Sequence, residues 1–318
     1  MPPYLLPYLK LLGWALIPLA LGILLRRCGA PRTASRHLFT FALFGCQMPI
    51  VLMAVWVAKT SEGAEYMPFL TLAGWLLTTG VAWLASLWMR HAPPQRGAFI
   101  VCICLSNHGY TLLGLIAMVL FGDDGIAQAT YAWIFIVPFM VFVCFPIGRY
   151  YGEGQGRMPL GRLILKTLTD PKSLPIVAML AGIALNLTGV ERPDWCAPVV
   201  RVLVYAGTVV TGLAIGLLVR ASSLGRFFRE NAFSFAYRST VYPLMFLGMA
   251  VWVGLDVMNT SILVLFGLVP SALFASLIAD LFELDTDLTS SVFVVSTLLF
   301  VLIVLPLYVL VATRMALA

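Results

Sequence analysis

The sequence predicts an all-α integral membrane protein of ten transmembrane helices, set out as two five-helix halves with one interrupted helix in each. Three observations lead there. The 318-residue chain is 61% hydrophobic and 11% charged, with a mean hydropathy of +0.97, whereas soluble domains carry about 25% charged residues. Apolar runs able to cross a ~30 Å hydrocarbon core recur along its length. Two of these runs contain residues that an ordinary spanning helix does not carry at mid-membrane. They are Ser106-Asn107-His108-Gly109 and Gly267-Leu268-Val269-Pro270-Ser271, with 163 residues from Asn107 to Pro270.

The spans run over Leu5–Leu25, Leu38–Ala58, Met67–Met89, Gly97–Phe121, Ile126–Gly148, Ser173–Val190, Ala197–Val219, Ala232–Val253, Thr260–Phe282 and Leu288–Ala312. The first is expected to be retained rather than cleaved, because Arg26 and Arg27 follow the apolar run and only Lys10 comes early. With the amino terminus outside, the inner loops hold fourteen of the 20 basic residues. That bias predicts a multi-pass protein of the plasma (inner) membrane with both termini extracytoplasmic. The same loop arginines account for the net charge of +6, so nucleic acid is not an expected partner.

Between the halves, Arg149 to Lys172 carries Gly152, Gly154, Gly156, Pro159 and five basic residues. It reads as a cytoplasmic linker at 149–172 between repeats at 1–148 and 173–318, with anionic lipid headgroups as an alternative contact for its charges. Five spans per half make the halves, if related, inverted in the membrane. Phe121-Gly122-Asp123-Asp124 leads a span ending at Pro146, and Phe282-Glu283-Leu284-Asp285 leads one ending at Pro306, at offsets of 161 and 160 residues. The six cysteines are scattered; Cys102 and Cys104 point to different helix faces, and no histidine has metal-site spacing to them. Neither a disulfide framework, a metal nor a cofactor is expected.

Backbone leaves the helical ladder inside a membrane only where protein buries it or it lines a wet cavity. Paired interruptions in the two halves mark the binding site of many transporters. Taken singly, Asn107 reads equally as an interhelical hydrogen bond and Pro270 as a kink; the pairing favours a site. All 14 acidic residues lie in loops or at span ends, Asp280 being the deepest, so a sodium site built on carboxylates is not expected, although one built from carbonyls is open. The crossing would instead offer two helix starts. Asn107 is placed to cap a half-helix beginning near Gly109, and Pro270 to occupy the first turn of another. Their free amides favour an anion, with an organic carboxylate as the natural guest.

Met48, Leu112, Leu273 and Phe274 would be apolar walls. Gln47, beside Pro49, would orient the guest or make an interhelical hydrogen bond. Arg238, about two turns inside the eighth span, is either a functional charge or a side chain snorkelling to the cytoplasmic edge. His108 would couple transport to protons or sit neutral in a hydrogen bond. No nucleophile and base are spaced for catalysis, so an enzyme is not expected.

Ser106-Asn107-His108-Gly109-Tyr110, followed by Phe121-Gly122-Asp123-Asp124-Gly125, resembles the fourth-helix signature of the auxin efflux carrier family. Arg238-Ser239-Thr240-Val241-Tyr242-Pro243 is similar to its eighth-helix arginine and proline. The stretch Pro270 to Leu298, with Ala279, Asp285 and Ser296-Thr297, and then Pro306, resembles its ninth and tenth helices. The resemblance implies the ten-helix inverted-repeat fold shared with bile acid symporters and sodium/proton antiporters. There, helices four and nine are broken and cross, and helices one, two, six and seven form a scaffold for the moving six. Two departures touch the crossing: Leu113-Gly114-Leu115 stands where the family usually has proline, and Ser271-Ala272-Leu273 where it often has asparagine. The family's substrate therefore need not carry over.

The expected function is a secondary active transporter, an efflux carrier or permease of small organic anions working by alternating access. Its substrate site would comprise Asn107, His108, Gly109, Tyr110, Pro270 and Ser271 with Gln47 and Pro49; His108, Arg238 and Asp280 are candidates for coupling or charge. Its partners would be the anion, the bilayer and a coupling proton or sodium ion, with a homodimer left open. The alternatives are a ligand-binding membrane sensor or scaffold and a drug/metabolite-type carrier.

Overall fold

The computed structural model describes residues 5–31, 33–56, 63–152, 161–162, 165, 174–218 and 225–315, and within them the regular structure is helical. Most of the expected linker at 149–172 lies outside the described residues. The helices are α1 (Leu5–Arg27), α2 (Thr33–Trp56), α3 (Ala64–Trp88), α4 (Pro93–Cys104), α5 (110–132), α6 (136–151), α7 (Leu174–Leu187), α8 (Cys196–Leu218), α9 (228–253), α10 (Val257–Leu268), α11 (Leu273–Leu281) and α12 (286–315). Among the described residues five helices are long and apolar enough to cross a bilayer, and the chain is an integral membrane helical protein. Among the described residues these twelve helices exceed the ten expected spans because the fourth is delivered as α4 and the first part of α5 and the ninth as α10 and α11.

Proline shapes several of these helices in the same way. The wide π-type turns Ala42–Gln47, Met140–Cys144, Tyr237–Val241 and Phe300–Val304 end two residues before Pro49, Pro146, Pro243 and Pro306 respectively. A proline removes one amide donor and crowds the carbonyl four residues back, and a widened turn absorbs that displacement. The expected loop after the fourth span shrinks to a kink at Gly122, whose φ of 68° and ψ of −149° suit glycine alone.

Packing divides the helices into two groups. In the first, α1 lies along α8, α7 along α2, and α8 also reaches α2. The contact of α1 with α8 is backbone on backbone: a Cβ on Gly216 would fall 2.3 Å from the Leu19 carbonyl oxygen and 2.7 Å from the Gly22 Cα. Small residues allow this approach, and it replaces the hydrophobic driving force that helices in lipid lack. In the second group, α3 packs on α4 and α9, α9 on α10 and α12, and α4 on α6, α11 and α12. Polar ties hold it together: the Thr78 and Tyr237 hydroxyls meet at 2.9 Å, and the Tyr308 hydroxyl donates to the Ser261 carbonyl at 2.9 Å.

Candidate functional site

The two interruptions lie side by side. After Cys104 the chain turns extended, with Leu105 at φ −93° and ψ 123°. After Leu268 it does so again, with Val269 at φ −60° and ψ 145°, the conformation a following proline imposes. Ser106 and Ser271 form an antiparallel bridge. The Asn107 amide donates to the Pro270 carbonyl at 2.8 Å and the Ala272 amide to the Leu105 carbonyl at 3.0 Å. Each broken segment thus satisfies the other's backbone, the condition for leaving the helical ladder at membrane depth.

The pairing also moves Pro270 from its expected place. Extended backbone persists through Ala272 (φ −81°, ψ 146°), and α11 begins at Leu273. Pro270 and Ser271 therefore precede the half-helix rather than open it. The Ser271 hydroxyl donates to the Cys102 carbonyl at 2.8 Å, and its amide donates to the Ser296 hydroxyl at 3.2 Å.

The last carbonyls of α4 and α10 have no partners within their helices, and one side chain gathers several of the carbonyls at and just past these ends. Arg238 Nη2 donates to the carbonyls of Cys102, Ile103 and Leu105 at 2.9, 2.8 and 3.1 Å. Its Nη1 donates to the Val269 carbonyl at 3.1 Å and to the Ser106 hydroxyl. Arg238 is 3% exposed, so it does not snorkel. It sits in the wide turn Tyr237–Val241 of α9, and the orphaned carbonyls outweigh the distant membrane edge. Among the described residues, no carboxylate lies within ion-pair distance of it.

His108 completes the other helix end. Its Nε2 lies 3.1 Å from the Phe266 carbonyl; because a carbonyl only accepts, that nitrogen carries the proton. The ring stacks on Phe266 with centroids 3.5 Å apart and lies 5.6 Å from Trp75. His108 is buried, and Nδ1 has no partner among the described residues.

The remaining candidates separate. Asn107 and Gly109 are half-buried, and a Cβ built on Gly109 would meet no atom within 4 Å, so space opens at the start of α5. The first turn of α5 is wide, the Gly114 amide donating to the Gly109 carbonyl at 3.2 Å. Tyr110 opens that turn; its side chain and that of Leu273 lie outside what is described. Gln47 and Pro49 are half-buried on α2, which packs on α5 and α8. Met48 is half-buried there too, Leu112 is buried and Phe274 is 40% exposed. Asp280 is exposed, about 12 Å along α11 from the interruption, and does not join the crossing. Ser296, Phe266 and Trp75 also belong to the surroundings of the site; Ser296 enters the sequence reading only through the family resemblance, and Phe266 and Trp75 are not singled out by sequence.

Two interrupted helices joined at their breaks are an arrangement found in many membrane transporters. Residues 159–309 match the family described as a membrane transport protein. The chain is also 26% identical over 231 residues to an uncharacterized transporter of Methanothermobacter thermautotrophicus, covering 71% of this chain and 72% of that protein. Both matches are to membrane transport proteins and not to an enzyme family.

Proposed function

We propose that the protein is a secondary active transporter of small organic anions, carboxylates above all, that works by alternating access with its substrate at the crossing. The observation that carries this reading is the fate of the four helix ends there. Arg238 and His108 take up the carbonyl ends of α4 and α10, which are the negative ends of their dipoles. What remains is the positive amide ends of α11 and of α5, the latter beginning at the open space beside Gly109. Asn107 and Tyr110 at the head of α5, with Pro270 and Ser271 before α11, would frame the guest, and Gln47 and Pro49 would face it from α2.

The ten spans form a 5+5 inverted repeat in this account, with repeats at 1–148 and 173–318 and a cytoplasmic linker between. The wide turns beginning at Met140 and Phe300 stand 160 residues apart, matching the offset of Pro146 and Pro306. The group α1, α2, α7 and α8 is the scaffold, and the other helices carry the crossing past it. Both termini lie outside.

The test is uptake into proteoliposomes across a panel of mono- and dicarboxylates, under pH and sodium gradients in turn. Saturable, protein-dependent uptake of at least one acid is expected. Absence of flux for every acid under both gradients contradicts the reading. Saturable binding in detergent with no counterflow would identify a sensor instead.

A further inference from the structure

We infer that Arg238 is a tethered counter-cation filling the place a coupling sodium ion would take at the crossing, so that the transporter holds no sodium there and does not need one. Interrupted helices in transporters typically coordinate a sodium ion through unwound carbonyls and half-helix carboxyl ends. Here four carbonyls at the joined interruptions, those of Cys102, Ile103, Leu105 and Val269, accept from the Arg238 guanidinium, and that of Phe266 faces His108. The Ser106 hydroxyl is taken by the guanidinium too.

The charges match as well as the geometry. The carboxyl end of a helix carries roughly −0.5 of an elementary charge. α4 and α10 are each 12 residues long and bring two such ends together, roughly one negative charge for the single positive charge of the guanidinium. A sodium ion placed among these four oxygens would therefore meet acceptors already taken and a charge already balanced. With no carboxylate within ion-pair distance of Arg238 among the described residues, nothing else there calls for a second cation. The positioning is built into α9: the wide turn before Pro243 carries Arg238 into the crossing, so the cation moves with the helices rather than exchanging with solvent.

Removing the side chain should expose the site it fills. Purified protein is melted in choline chloride while sodium, lithium or millimolar guanidinium is added. Wild type should show no specific response to any of them. Arg238→Ala should melt lower and recover saturably with guanidinium or sodium, by roughly 5 °C near saturation. Because Arg238→Ala can fail to fold, Arg238→Gln, which keeps two donors without the charge, is measured in parallel and should respond in the same way. Arg238→Lys, which keeps the charge, should not respond. Saturable stabilisation of wild type by sodium over choline would overturn the inference, and so would a folded Arg238→Ala or Arg238→Gln protein indifferent to every small cation. The readout needs no substrate, so failure to transport organic acids would leave this inference standing.

Discussion

Gly216→Leu should yield no folded protein. The α1 and α8 backbones touch at Gly22 and Gly216, and a Cβ at 216 would sit 2.3 Å from the Leu19 carbonyl oxygen, with backbone rather than a flexible side chain in the way. Overpacking in a deformable core costs about 1–3 kcal/mol. Here relief requires parting two helices along their whole contact, which forfeits the packing that holds them together in lipid. Expression followed by size-exclusion chromatography in detergent checks this: the variant should aggregate or be degraded. Gly80→Leu is the control, since a Cβ at Gly80 meets nothing within 4 Å, and it should elute as wild type does. A monodisperse Gly216→Leu protein with unchanged melting would mean that the close approach of α1 and α8 is not needed for the fold.

Arg238→Lys carries the second large effect, although it preserves charge. The guanidinium reaches five acceptors through two nitrogens, spanning both broken segments. An ammonium is a single point with three donors and cannot span them. At least two bonds to a charged group are lost, each worth about 1.5–3 kcal/mol. Melting of the purified variant should therefore fall by several degrees at least, with transport reduced in step. A melting temperature equal to wild type would mean that the carbonyls of α4 and α10 are satisfied without the fork.

Much of the helix layout is legible in the sequence, because apolar runs of spanning length interrupted by short polar stretches allow few arrangements. Both interruptions are legible for the same reason: serine, asparagine, histidine and proline at mid-membrane conflict with their surroundings. Their joining is less so. Equal spacing in the two halves suggests it, but the bridge between Ser106 and Ser271 and the amide of Asn107 on the Pro270 carbonyl are long-range contacts. No local pattern encodes them. Pro270 shows the limit clearly. Local chemistry favours proline at a helix start, yet pairing with the opposite break keeps the chain extended to Ala272. Arg238 shows a second limit. Two turns from a span end, a long cationic side chain can reach either the interface or the interior. Only the position of the orphaned carbonyls decides between them. His108 follows the same logic, its place against Phe266 being set by the end of another helix.

The central claim, that the crossing holds the transported anion, turns on Asn107. Its backbone tie to Pro270 survives truncation of the side chain, so Asn107→Ala should fold with at most the ~0.5–2 kcal/mol loss typical of a missing helix cap. Losing a hydrogen bond to a charged guest should instead cost about 1.5–3 kcal/mol, roughly ten- to a hundredfold in affinity. The direct measurement is counterflow of a labelled carboxylate, taken from the uptake panel, into proteoliposomes containing equal amounts of wild type and Asn107→Ala. A rise in half-saturating concentration of roughly ten- to a hundredfold, with a nearly unchanged melting temperature, is the expected result. Counterflow by Asn107→Ala with wild-type affinity and rate would contradict the account and place the anion elsewhere in the protein.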